Sequence, residues 1–424
     1  MRRFILSLAL ILTALVRPAF ADDPKPYTRV AEDEKTGVLT LELASRTFAK
    51  PDGTGPKVTL VSAVHIADLA FYTAMQKQLD ATDVVLFEGV KPGGVDAIAA
   101  NLDDAAKAKA THAREQFLLA VVAQFRDREG RFPKDFTDLV ESAGKRAKGL
   151  IAASLTDAWG SPLTLTIQRV GDDDHPTFRP KERPVVSSPG PDKLTGEGHD
   201  ADDVREEGLY VFTNTKATKD DGGIQLQLAK ALGLEFQLEH MDSSKANWRN
   251  SDMNVDEMQT RMTAAGGDAS GLLKMLDGSG FMGKLAGFML NMVGKSPQLS
   301  ATMKLMMVEM LSAPDLLGGM GGAGGANLAA LMKVIVVERN IVVLDDLKRV
   351  IEKEPGVKTV SIFYGAGHFF DMEKRLVTDM GFEPVGDTWS PAISVDPKVA
   401  GYTPEQSRRM RESIRTMIKN QAGK

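Results

Sequence analysis

The chain has 424 residues, of which 43% are hydrophobic and 26% charged, with a formal net charge of −5 and no cysteine. These are ordinary globular proportions, and the length suits about two or three domains. The negative balance argues against nucleic acid as a partner, because that surface needs clustered positive charge. The lack of cysteine rules out disulfides and a lipid anchor on cysteine.

The first residues read as a targeting segment. "MRR" is basic, "FILSLALILTALV" is apolar, and "AFA" at 19–21 fits a small-x-small cleavage site. The apolar run is shorter than the roughly 20 residues a spanning helix needs. The expectation is a signal peptide over 1–21 and a periplasmic or secreted mature chain with no stable membrane span.

From residue 22 to 110 the pattern is that of an α/β domain. "VLTLELA" alternates, with Leu39, Leu41 and Leu43 on one face, and "KVTLVSAV" follows a turn-rich stretch. "ADLAFYTAMQKQLD" then has helical spacing through Leu69, Tyr72, Met75 and Leu79, and "DVVLFEG" reads as a buried strand. Strand, helix, strand is the grammar of a βαβ unit. Residues 111–204 read as a small inserted α+β unit: helical "HAREQFLLAVVAQFRDREG", then "RFPKDFTDLV", "LTDAWGSPLTLTI" and a polar tract from Gly171 to Asp203.

The α/β pattern returns over 205–424, beginning with "GGIQLQLAKALGLEFQLEHMD". Residues 264–326 are rich in Gly and Met, with two helical runs and a flexible "GGMGGAGGA" joint. They suit either an adaptable, Met-lined surface or, as the favoured expectation, two helices packed on the core. Further on, one helix is expected to run through Arg339, followed by the buried strand "KTVSIFY" and a helix closed by Gly381.

Two strands end in histidine, "VTLVSAVH" at His65 and "TVSIFYGAGH" at His368, and each leads into a helix. Carboxyl ends of parallel strands are where sites form in open α/β sheets. A helix N-terminus favours the neutral imidazole that binds a metal or acts as a base. Parallel strands would bring Glu88 of "VVLFEG" to the same edge. Two histidines and a carboxylate match the ligand set of an open catalytic zinc-type site. For either histidine alone a structural hydrogen bond is the favoured reading, and the pair with Glu88 turns it towards a site. Gly365 and Gly367 suit either close approach of a ligand or a tight turn.

"SAVHIAD", "VVLFEG", "LAKALGLEFQ", "NWRNSDM", "ERN" and "FYGAGHFFDMEKRL", in this order, resemble the TraB/PrgY/GumN family, which includes the Tiki-type proteases. The resemblance covers most of the chain outside the middle section. It implies an α/β fold and a metal-dependent hydrolase acting on a peptide or related amide. His65, Glu88 and His368 would hold a divalent zinc, manganese or cobalt ion. Glu88 would complete that set or act as general base, and Arg339 would stabilise developing negative charge. The first G-x-x-H motif departs from the pattern, reading Ser62-Ala63-Val64-His65. Arg249, Asn250 and Asp252 would line the pocket, or would form a loop in which Asp252 or Asn254 caps the next helix.

The middle section is similar to the C-terminal domain of the major type II secretion pseudopilin, GspG, through Asp157, Trp159, Gly160 and Pro162. That similarity implies calcium held by Asp192, Asp202 and Asp203, with a carbonyl near Pro189 as a further ligand. It also places Trp159 against the small sheet, while His175 and His199 fall in polar, exposed loop. The prepilin-type leader of true pseudopilins is lacking, so assembly into a pseudopilus is not expected. The expected fold class is α/β (α+β), a helix-flanked sheet carrying a small α+β insertion. Its expected partner is a peptide or protein substrate. The competing expectation is a non-catalytic periplasmic binding protein.

Overall fold

A computed structural model describes residues 25–92, 94, 95, 98, 101–143, 145–170, 181–196, 202–212, 224–265, 293–313 and 333–422. The signal segment, most of the first Met-rich run, the "GGMGGAGGA" joint, His175 and His199 lie outside these residues. Among the described residues no helix is long and apolar enough to cross a membrane.

The main domain opens with strands β1 (Thr28–Glu32), β2 (Leu39–Ala49), β3 (Lys57–Ala63) and β4 (Ile66–Ala67), helix α1 (Leu69–Asp80) and strand β5 (Val84–Phe87). The insertion holds α2 (Asp104–Glu129), α3 (Phe136–Ser142), α4 (Lys145–Ala153), β6 (Thr164–Val170), β7 (Lys181–Ser188), β8 (Val204–Glu207) and β9 (Val211–Phe212). The main domain resumes with α5 (Ile224–Leu232), β10 (Glu235–Phe236), the single turn α6 (Gln237–His240), β11 (Trp248–Asn250), α7 (Val255–Ala264) and α8 (Pro297–Leu311). A π-helical stretch, Lys333–Glu338, leads directly into α9 (Arg339–Lys353), so the helix does run through Arg339. Strand β12 (Thr359–Gly365), α10 (Phe369–Thr378), β13 (Glu383–Val395) and α11 (Pro404–Ala422) complete the chain.

A seven-stranded mixed sheet organises the main domain. Strands β3, β12, β5 and β11 are parallel and lie in that order, so β12 is inserted between β3 and β5. β2 runs antiparallel to β3 and β1 on one edge and to β13 on the other. The alternation of each central strand separates two apolar layers. Val61, Ala63, Val85, Phe87 and Phe363 pack with α1, α5 and α8; Leu60, Leu86, Ile362 and Tyr364 pack with α9 and α10. Each large side chain buried in this way contributes about 1.5–3 kcal/mol. Leu39, Leu41 and Leu43 are buried together as their alternation requires, whereas α1 buries Phe71 and leaves Leu69 51% exposed. In α8, Ala301, Leu305 and Val308 are core, which fits the packed-helix expectation for this run.

Two elements break local rules. β13 carries Pro384 and Pro391, and its register on β2 shifts at both. Proline has no N–H to give a ladder, and this strand tolerates it by being an edge strand with bulges. β7 lies within the Gly171–Asp203 tract, where the polar composition signals only loop, because "PVVSS" is the one apolar-bearing run in it.

The insertion pairs β6, β7, β8 and β9 antiparallel and packs α2, α3 and α4 around Leu118, Val122, Phe125, Leu139, Ile151 and Val186. α2 starts at Asp104, capped by the Asp103 side chain, so it spans the expected boundary at 110/111. Within this unit Glu115 is fully buried, and neither carboxylate oxygen makes a hydrogen bond of normal geometry. Burial, then Glu206 and Asp157, push its pKa from 4.5 up to about 8, against partial relief from the Ser188 main chain. His112, 3.9 Å away, is exposed. The folded state keeps a proton that the unfolded chain releases above pH 4.5. Stability of the insertion should therefore fall between pH 4.5 and about 8, by up to about 1.4 kcal/mol per pH unit. Denaturant unfolding of Glu115→Gln should show that slope flattened.

Candidate active site

The parallel strands end at one edge of the sheet, and there the chain after β5 and the starts of α9 and α10 converge. Glu88 follows β5 directly. Its Oε2 accepts the main-chain N–H of Gly365 at 2.8 Å, and its Oε1 accepts from Arg339 Nη2 at 2.7 Å. Arg339, the first residue of α9, is 5% exposed and also binds Asp252 through Nε (2.8 Å) and Nη2 (2.6 Å). Asp252 accepts from the N–H groups of Gly89 and Met253 as well. Asn254, not Asp252, caps α7, in a reciprocal capping box with Glu257.

The buried guanidinium faces two carboxylates, so its charge is balanced where burial alone would oppose it. Despite that burial, Asp252 and Glu88 hold Arg339 above its ordinary pKa. Burial works against ionisation of Glu88 too, but Arg339, His368 and the Gly365 N–H outweigh it and keep its pKa below the ordinary value.

His368 stands at the N-terminus of α10 and is 7% exposed. Its Nδ1 lies 2.7 Å from Asn340 Oδ1. The Asn340 Nδ2 donates to the His368 carbonyl (3.0 Å) and to Asp371 Oδ2 (2.9 Å), which fixes the amide orientation. An amide oxygen only accepts, so Nδ1 carries the proton and the Nε2 lone pair is left open. That Nε2 is 3.8 Å from Glu88 Oε1. Burial, with Arg339 adding, lowers the imidazole pKa from 6.5 to about 4. Near neutral pH the pair is thus a neutral imidazole beside an ionised carboxylate. Its donors suit zinc, manganese or cobalt, and their separation is less than about twice a 2.0–2.1 Å ligand bond.

His65 departs from the expected symmetry. It does not open α1, because Ile66 and Ala67 first pair with Phe236 and Glu235 of β10. The His65 carbonyl accepts from the Gln237 N–H. The residue is exposed, and the N-cap of α1 is Asp68. Among the described residues, the one group of three His or carboxylate side chains with ligand atoms mutually within 4.8 Å is Glu235, Glu239 and His240 on the neighbouring ribbon. The structure therefore unites Glu88, Arg339 and His368, and leaves His65 outside that contact network.

The two G-x-x-H segments also differ in register. Ser62 lies opposite Tyr364, and Gly365 opposite Ala63. The Ser62 hydroxyl is buried and donates to Ala44 O at 2.7 Å, so the serine ties β3 to β2. Gly365 has φ −55°, open to any residue. A Cβ there would stand 3.4 Å from Glu88 Oε2 and 3.8 Å from His368 Cδ2, so glycine keeps the ground beside the pair clear. Arg249 pairs with Glu354 and Asn250 donates to Gly89 O. Asn340, which orients His368, was hidden in the quoted "ERN": an asparagine on a helix carries no chemical signature until its facing partner is known.

In the insertion, the loop after β7 is folded on itself. Asp192 N–H donates to Asp202 Oδ2 (3.2 Å), and Leu194 N–H to Asp192 Oδ1 (2.8 Å). Gly190 (φ +65°) approaches so closely that a Cβ would meet Asp202 O at 2.3 Å. Asp192 and Asp202 are thus neighbours, with Asp203 next in the chain.

Arg339→Met leaves two inward carboxylates without their cation and should cost about 3–5 kcal/mol in denaturant unfolding. The depressed His368 pKa contributes stability that is complete above pH 6.5 and is lost as the pH falls towards 4. The acid limb of the stability profile should accordingly be shallower in His368→Gln.

Comparison with family models, with curated proteins and with solved structures finds no match to this chain.

Proposed function

We propose that the chain is an exported, periplasmic metal-dependent hydrolase of the TraB/GumN type, acting on a peptide or related amide, with a GspG-like calcium-binding module inserted. The observation that carries this reading is the open Nε2 of a neutral, Asn340-oriented His368, 3.8 Å from the ionised Glu88. A neutral imidazole fixed through its other nitrogen is the arrangement that metal-ligating histidines adopt.

His368 Nε2 would hold a zinc, manganese or cobalt ion, with His65, which stands outside the contact network here, as a further ligand, and Glu88 would complete that set or act as general base. Such an ion supplies Lewis-acid polarisation of a carbonyl and activation of water near neutral pH. In the second of these roles Glu88 would take up the proton released by the attacking water, which suits a carboxylate already ionised. Arg339 and the Gly365 N–H keep it ionised and aimed. Asp252 holds Arg339, and Asn340 holds the tautomer of His368. In the insertion, Asp192, Asp202 and Asp203, with a carbonyl near Pro189, would bind calcium, and the proximity of Asp192 to Asp202 supports this.

The second reading is a non-catalytic binding protein in which the Glu88–Arg339–Asp252 network is structural. The exposed position of His65, outside that network, favours it. Metal analysis of purified wild type, His368→Ala and Asp202→Ala, with peptide hydrolysis assayed in parallel, separates the two. Loss of transition metal and of hydrolysis only in His368→Ala, and of calcium only in Asp202→Ala, is the expected result. A wild-type protein that retains no transition metal and cleaves no peptide would leave the binding-protein reading standing.

A further inference from the structure

A cavity of about 510 Å³ lies in the insertion, lined by Ile98, Thr156, the Asp157–Gly160 turn, Lys107, Arg114 and Lys193. That volume is within the usual range for small-molecule sites. Three cationic residues and one carboxylate residue, Asp157, are among those that line it. Asp157 offers little to a ligand: its Oδ1 accepts from the N–H groups of Trp159 (2.9 Å) and Ser161 (2.7 Å), and its Oδ2 from the Ser188 hydroxyl (2.6 Å). Lys107 reaches the exposed Asp104 only at 3.9 Å, and Asp104 also accepts from the Trp159 indole at 2.9 Å.

Arg114 is the built part of the site. It is 7% exposed, and one guanidinium nitrogen is anchored on the Thr156 carbonyl. A planar guanidinium held in place by its own backbone contact is a rigid fork for a carboxylate or phosphate. Lys193 is positioned by an unusual backbone: it is the one non-glycine among the described residues with positive φ, 62°. The left-handed conformation costs a side-chain-bearing residue about 1–2 kcal/mol, and here it places a lysine on the cavity wall.

The geometry points to an oxyanion-binding pocket in the insertion, apart from the Glu88–His368 pair, in which Arg114, Lys107 and Lys193 take a carboxylate or phosphate group and Trp159 and Ile98 line the remainder. The calcium loop carries Lys193 one residue from Asp192, so an anion bound there adjoins the segment that would hold calcium.

The test is isothermal titration calorimetry on the full-length protein at constant ionic strength, with chloride replaced by inorganic phosphate in one arm and N-acetylglutamate in the other. Saturable binding of at least one probe is expected, weakened roughly tenfold in Lys107→Gln/Lys193→Gln, whose lysines lie at the cavity wall rather than in the core. The preferred probe distinguishes a phosphate ligand from a carboxylate. Because Arg114→Gln can fail by unfolding, the lysine variant is the deciding one, with its unchanged circular dichroism as control. No saturable binding of either probe, or binding that the lysine variant leaves unchanged, overturns the proposal.

Discussion

The guanidinium of Arg339, held between Asp252 and Glu88, is the interaction on which the rest of the site depends. It joins three parts of the chain that are far apart in sequence: the ends of β5 and β11 and the start of α9. A buried ion network of this kind is a poor source of net stability, since desolvation offsets most of the attraction. It is a strict source of geometry, because each carboxylate has one place where it is balanced. Glu88 is consequently ionised in a setting whose burial would otherwise protonate it. The neutral state of His368 is set by its burial, which together with the nearby Arg339 outweighs the pull of Glu88 and Asp252 towards a second cation.

Much of this was legible in the residues, and the reasons differ by element. The central strands could be read because their apolar runs have period two or are continuous, and Glu88 and His368 could be placed because both follow such runs. That they share an edge required parallel strands, which the sheet provides. The position of His65 was not legible. The pairing of Ile66 and Ala67 with β10 depends on a segment about 170 residues later, and no local signal marks a two-residue strand. The same holds for Asn340 and Asp252, whose roles exist only across the fold. β13 carries no local strand signal for another reason: its prolines and glycine break the ladder pattern, and only an edge position with bulges reconciles them with a strand.

The two strand-end histidine segments look alike in spacing and differ as objects. In the second, an N–H and a missing side chain serve the carboxylate beside the histidine. In the first, a serine hydroxyl serves a neighbouring strand, and the histidine turns into a ribbon. Similar spacing has therefore been put to two uses, one concerned with chemistry and the other with joining layers. In the insertion, likewise, one aspartate, Asp157, organises a turn and a strand end by accepting three hydrogen bonds.

The placement of β12 between β3 and β5 has a consequence in time. Its partners are made about 270–300 residues before it during synthesis, and in the fold they pair with it and not with each other. Until residues 359–365 arrive, both strands present open, apolar edges, the surfaces on which chains associate wrongly. Pairings of such long range also make for slow folding. A chain that stops short of β12 lacks His368 and the strand that closes the middle of the sheet, so the site and the continuity of the fold are lost together.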